Sequence, residues 1–183
     1  MTRHIDRKLK TNALLVDESR CIGCFGCAVA CKMEHDLPAG PRPCKVLRLG
    51  PFQKEGGLSM RFAAVACFHC DRPACVLACP TGAMQKRDDG LVFSDFELCI
   101  GCQTCAAACP FGVPELNPAT GKIAKCDGCR DRVDEGLWPA CALKCPTGAL
   151  RFGSPRDVVR EVRTRTAVTV ARCFTEVEKE DAC

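Results

Sequence analysis

The hydrophobic and polar positions along this chain outline short elements only. The longest apolar stretch, Phe62 to Phe68, has seven residues, far too few to span a bilayer. The first ordered stretch, in TNALLVDESR, predicts a short strand from Ala13 to Asp17. Residues 36–61 are rich in Pro and Gly and read as an irregular surface excursion, with Lys45–Leu49 alone suited to a strand. Further on, two short strands flank Asp89-Gly90, a strong hairpin signal. Residues 110–125 predict another Pro/Gly-rich loop, and Arg130 to Ala140, with Leu137, Trp138 and Pro139, a short helix. Ala149 to Phe152 reads as a strand, left by elimination to pair with Ala13 to Asp17. Ser154, Pro155 and Asp157 then make a helix start, with Ser as N-cap and Pro in the first turn. The expected helix covers about 155–163, with Val158, Val159 and Val162 on one face. Thr166 to Ala171 alternates weakly and predicts a strand, and the charged tail Glu176 to Cys183 reads as loose.

So few apolar positions do not build a large core, and the composition says what replaces it. Aromatic residues are 5% of the chain, with one Trp and no Tyr, whereas 19 of 183 residues are Cys. That level means a disulfide scaffold or a metal protein. The opening MTRHIDRKLK is polar and basic, with no apolar core of a leader, no small-residue cleavage site and no Arg-Arg pair. The expectation is therefore a cytoplasmic chain in a reducing compartment, where thiols stay free or bind metal. The formal charge of +4 counts every thiol as neutral. Four [4Fe–4S]²⁺ cores with their thiolates, each about −2, would bring it to roughly −4, so the apparent basicity lends a nucleic-acid role no support.

The cysteines fall in four runs. Cys99, Cys102, Cys105 and Cys109-Pro110 have the spacing C-x2-C-x2-C-x3-C-P. Cys21, Cys24, Cys27 and Cys31 repeat it with Lys32 in place of the Pro, a modest departure because that Pro only stops a helix. Cys67, Cys70, Cys75 and Cys79-Pro80 carry an x4 gap, and Cys126, Cys129, Cys141 and Cys145-Pro146 an x11 gap. Structural zinc also uses C-x2-C, but zinc sites seldom place a third Cys after two more residues and a fourth after three, and they do not need Cys-Pro. The pattern is that of [4Fe–4S] ligands, in which three thiolates wrap one cluster and the fourth reaches the cluster of a partner run.

The runs are similar to those of bacterial ferredoxins, whose two runs are joined by a hairpin like the one at Asp89-Gly90. The second and third runs then form one unit, and the first and fourth another around it. The expected fold is α+β, two bacterial-ferredoxin-like units, one inserted in the other, with irregular Pro/Gly-rich loops. Residues 11–35 and 120–153 make the outer unit and 62–112 the inner one, with 36–61 a surface insertion and 154–183 a C-terminal helix and tail. Applying the exchange of the fourth ligand gives four sets. They are Cys21, Cys24, Cys27 and Cys145; Cys126, Cys129, Cys141 and Cys31; Cys67, Cys70, Cys75 and Cys109; and Cys99, Cys102, Cys105 and Cys79. Cys44, Cys173 and Cys183 lie outside the runs and read as free thiols. His69 stands between two ligands, close enough to tune a potential, whereas His4 and His35 read as surface residues. Lys32, Lys125, Arg72 and Lys144 lie near the runs, and a solvated surface role is favoured for them over offsetting cluster charge. The sequence holds no nucleophile motif, phosphate loop or flavin fingerprint, so a catalytic site of its own is not expected.

Five stretches carry a more specific likeness: Asp17–Cys27, Ala66–Cys75, Cys79–Met84, Cys109–Pro114 and Pro139–Ala149. With the x4 and x11 gaps they resemble the four-cluster iron–sulfur subunits of the dimethyl sulfoxide reductase superfamily over about residues 11–153. The nitrate reductase branch has Trp where this chain keeps Cys102, and is disfavoured. The resemblance implies four [4Fe–4S] clusters in a non-catalytic electron-transfer subunit. Its partners would be a large molybdenum or tungsten bis-pyranopterin subunit and a flavin or other electron-acceptor subunit, with self-association as a weaker third reading. The compactness of the chain resembles small subunits of soluble tungsten aldehyde oxidoreductases and formate dehydrogenases, with no direct membrane span. The competing reading is a free-standing polyferredoxin carrier or hydrogenase-associated electron-transfer protein. The long loops at 36–61 and 110–125 favour a docked subunit.

Overall fold

The computed structural model describes residues 13–176, with side chains to residue 168. Its sheets are four separate two-stranded antiparallel pairs. Strand β1 (Ala13–Val16) pairs with β8 (Leu150–Gly153), Leu14 opposite Phe152 and Val16 opposite Leu150, so the two ends of the cysteine-bearing region are stitched together. Strands β4 (Met84–Lys86) and β5 (Val92–Ser94) form the hairpin expected around Asp89-Gly90. Its turn is closed by the Arg87 N–H on the Leu91 carbonyl at 2.8 Å.

Two stretches expected to be irregular are hairpins. Within 36–61, strand β2 (Lys45–Lys54) pairs with β3 (Gly57–Val65), turning at Gly56 and Gly57, whose φ values of 93° and 126° suit only glycine. Gly50 and Pro51 disguise the strand, and the ladder shifts register between Leu49 and Phe52 to pass them. Nor is the segment wholly on the surface, since Pro41 and Cys44 are buried. Within 110–125, β6 (Glu115–Asn117) pairs with β7 (Lys122–Ala124). Asn117 builds that turn, its side chain accepting from the Ala119 N–H and its carbonyl from the Gly121 N–H.

Short helices follow the cysteine loops. Helix α1 (Gly26–Glu34) packs on α5 (Ala140–Leu143), and α2 (Ala74–Leu77) on α3 (Thr104–Ala108). Helix α4 (Arg130–Asp134) lies in the x11 gap, tied back by the Arg132 side chain to the Trp138 carbonyl and to Glu34. The last helix departs most from expectation. Helix α6 runs from Pro155 to Glu176 and takes in the stretch expected to be a strand. Ser154 caps it, accepting from the Asp157 N–H at 3.1 Å while donating to the Asp157 carboxylate. Thr164 and Thr166 fold their hydroxyls back onto carbonyls one turn earlier, which accommodates β-branched residues in the helix. The inward face is Val158, Glu161 and Arg165 rather than Val159 and Val162, and Arg165 reaches Asp17 at the end of β1. The tail 177–183 and His4 lie outside the described residues.

The interior is built of small residues and thiols. One buried cluster joins Cys27, Cys31, Cys44, Cys67, Cys126 and Cys141 with Leu91, Leu150 and Phe152. A second joins Cys75 and Cys105 with Met84, Val92 and Ile123.

Candidate metal centres

Each cysteine run folds by the same local device. Two residues after its first Cys the backbone turns left-handed, at Gly23, Gly101 and Gly128 with φ of 69°, 70° and 76°. In the second run the same position is His69, at φ 45°. The turn curls the first two thiols inward, and the third follows as the second residue of the helix. Runs one and three enter that helix through Phe25 and Gln103, both also left-handed, whereas runs two and four enter through Pro73 and Pro139. The returns repeat as well: Cys79-Pro-Thr-Gly-Ala and Cys145-Pro-Thr-Gly-Ala each set a Thr hydroxyl beside the Cys sulfur, at 3.7 Å (Thr81) and 3.8 Å (Thr147). Each also aims a backbone N–H at it from five residues on, Met84 at 3.5 Å and Leu150 at 3.4 Å.

Those turns gather the cysteines into quartets. Cys21, Cys24, Cys27 and Cys145 line one recess, Cys67, Cys70, Cys75 and Cys109 a second, and Cys79, Cys99, Cys102 and Cys105 a third. Cys31, Cys126, Cys129 and Cys141 are all buried, and three of them share the main core. Burial, with Cys126 and Cys141 close by, pushes the Cys31 thiol up to about 12, and burial pushes Cys126 up to the same range. Every described cysteine is a free thiol. The donors fit [4Fe–4S] clusters: four soft sulfurs to a set, no carboxylate among them, and N–H and O–H groups directed at sulfur.

The sets form a line. Cys44 stands between Cys27 of the first set and Cys141 of the buried one, hydrogen-bonded to both, which holds those two thiols low and its own high. Cys67 is near enough to raise the Cys126 thiol further, and Cys75 does the same to Cys105. The quartets therefore run from the Cys21 set through the Cys31 set and the Cys67 set to the Cys99 set. Cys24 and Cys102, at the two ends, are exposed.

Two side chains have a different setting from the one expected of them, and Cys44 is the free thiol expected. His35 is half-buried at the end of α1, its Nε2 3.5 Å from Cys129 Sγ and 3.6 Å from Asp127 Oδ1. Lys125 is no solvated residue, since its Nζ donates to the Val92 and Cys126 carbonyls. Cys44, 1% exposed, lies against two candidate ligands, although nothing in its spacing signals that. His69 is near the thiols as expected: its Nδ1 accepts from the Val92 N–H at 2.8 Å, and its Nε2 lies 3.9 Å from Cys126 Sγ. Burial, and then the charge of Lys125, lowers its pKa to about 3, so the ring is neutral. Arg72 and Lys144 are exposed, and Lys32 donates to the Pro38 carbonyl.

Residues 58–155 match a family model described as a 4Fe-4S dicluster domain, and residues 20–83 match a second model of that description. The probable anaerobic dimethyl sulfoxide reductase chain YnfG of Escherichia coli (strain K12) is 42% identical over 162 residues, 84% of this chain and 78% of that protein. The thiosulfate reductase electron transfer subunit PhsB of Salmonella typhi is 47% identical over 142 residues, 76% of this chain and 74% of its own. The nitrate-inducible formate dehydrogenase iron-sulfur subunit of Escherichia coli (strain K12) is 37% identical over 178 residues, 88% of this chain and 60% of its own.

Proposed function

The chain belongs to the 4Fe-4S dicluster family, among the iron–sulfur subunits of the dimethyl sulfoxide reductase superfamily, and from that premise we propose that it relays electrons between a catalytic molybdenum or tungsten bis-pyranopterin subunit and a second redox partner. It is a non-catalytic subunit, and its cofactors are [4Fe–4S] clusters, four of them for two dicluster matches and four cysteine runs. Each cluster, when bound, takes up and passes on one electron at a time. The chain's own residues hold the stations in sequence and set their potentials through hydrogen bonds to sulfur and through exposure.

One observation carries this reading: the thiol quartets lie in a linear series, and only the end sets present an exposed cysteine. A wire needs that arrangement, with its two ends the sets most open to partners. In this proposal the four sets named from the sequence are the ligand sets. The nested layout, 11–35 with 120–153 around 62–112, is supported by the β1–β8 pairing. The catalytic partner's reaction belongs to the formate- and aldehyde-oxidising or oxyanion- and sulfoxide-reducing classes. The free-thiol content suits a reducing cytoplasm. No described helix is long and apolar enough to cross a membrane.

Anaerobic purification of the native complex with metal analysis tests the proposal. The expected result is a large companion subunit carrying molybdenum or tungsten, with about sixteen iron atoms on this chain for four clusters. Iron alone and no companion would replace it with the polyferredoxin carrier.

A further inference from the structure

The two halves of the series meet at one side chain. His69 is covalently part of the run that supplies Cys67 and Cys70, and its N–H lies 3.3 Å from Cys67 Sγ. Its ring crosses to the other half. Because Nδ1 accepts from the Val92 N–H, the single ring proton sits on Nε2, the atom that faces Cys126 Sγ at 3.9 Å. The position is left-handed, and the other three runs place glycine there. Histidine adopts that conformation more readily than most residues, so the position carries an imidazole at a small backbone cost that glycine would avoid.

The set it reaches has the least solvent to stabilise added charge. Cys31, Cys126, Cys129 and Cys141 are all buried, and burial disfavours the extra negative charge of a reduced cluster. The Lys125 ammonium and the backbone N–H of Gly128 offset part of that cost at Cys126, and without a further donor the set would still lie low in mid-series. Backbone N–H groups reach thiols in every set, those of Gly128, Ala140 and Ala142 serving Cys126, Cys129 and Cys141, but among the described residues the buried set alone is contacted by imidazoles, His69 on Cys126 and His35 on Cys129. Resting on the ligand sets proposed above, we infer that His69 is a positioning residue that holds an N–H on Cys126 and thereby raises the potential of the buried middle cluster toward its neighbours, joining the two halves of the wire.

The experiment is an EPR-monitored redox titration of the anaerobically purified holoprotein and two variants. His69→Gly gives the backbone the residue used by the other runs and deletes the donor. His69→Gln keeps an N–H at similar reach, and glutamine already occupies a left-handed position in this chain at Gln103. The expected result is four clusters in each protein, one midpoint potential shifted downward in His69→Gly, and that shift largely reversed in His69→Gln. Unchanged potentials, or all four moving together, would overturn the inference. If His69→Gly does not load its clusters, pulsed EPR of His35→Asn protein carrying histidine ¹⁵N-labelled in the ring alone decides instead, because the His69 backbone N–H lies on Cys67. A weak ¹⁵N coupling on a single reduced cluster supports the inference, and none on any cluster ends it. Failure of the ligand sets shows separately: Cys67→Ser and Cys126→Ser would then alter the same cluster rather than different ones.

Discussion

At the scale of the residue, a left-handed glycine carries either of two burdens, and the structure separates them. Gly101 is left-handed, and a Cβ there would lie 2.0 Å from the Gly121 carbonyl oxygen, which is backbone and cannot swing away. Gly90 is also left-handed, but a Cβ there meets nothing within 4 Å. Gly90→Ala should therefore cost only the backbone strain, about 1 kcal/mol. Gly101→Ala should cost well over ~1 kcal/mol, push the β6–β7 turn away and loosen the adjoining thiol set. Cluster occupancy after matched anaerobic incubation in urea compares them, and equal losses would refute the distinction. The cysteine runs were legible in the chain because ligand spacing is a local property, whereas their grouping across runs rests on the exchange seen in ferredoxins. The His35 contact with Cys129 spans 94 positions, and no local pattern encodes it.

At the scale of the element, legibility followed burial. The Asp89-Gly90 hairpin and the closing strands bury residues such as Val92, Leu150 and Phe152, so their patterns were visible. Strand β2 is exposed along most of its length, which leaves no alternation to read, and its Gly50 and Pro51 look like a break. The end of α6 was missed for a related reason. Thr and Val there suggest a strand, but the helix is fixed by its cap and by charged contacts from Arg165 to Asp17 and Glu161. Ser154→Ala removes the acceptor for the Asp157 N–H and should destabilise the start of α6 by about 1 kcal/mol. Amide exchange in the first turns of α6 should then quicken about fivefold in the holoprotein. Unchanged exchange would mean that the Arg165 contacts alone hold the helix.

At the scale of the whole molecule, the two halves are joined by polar contacts as well as by packing. Arg87, in the turn of the inner hairpin, grips Asp134 of α4 through two nitrogens at 2.6 and 2.9 Å. The Arg87 hydrogen bond holds the Asp134 carboxyl below its ordinary value. A depressed folded pKa means that the contact contributes fully above that ordinary value and is lost as pH falls through the lower folded one. Both partners are partly exposed, so Asp134→Asn should cost at most ~1 kcal/mol at neutral pH, less in high salt. The stability difference between the two proteins should shrink on acidification. A difference that widened would reverse the assignment.

The pairing of β1 with β8 also has a bearing on how the chain is made. Cys67, Cys70, Cys75, Cys79, Cys99, Cys102, Cys105 and Cys109 lie in one continuous stretch, so both inner quartets have all their members once residue 109 has left the ribosome. Cys21, Cys24 and Cys27 emerge first yet share their recess with Cys145, and Cys31 waits for Cys126, Cys129 and Cys141. The earliest thiols to be synthesised are the last to find their partners, and during that interval they are the ones that must be kept reduced.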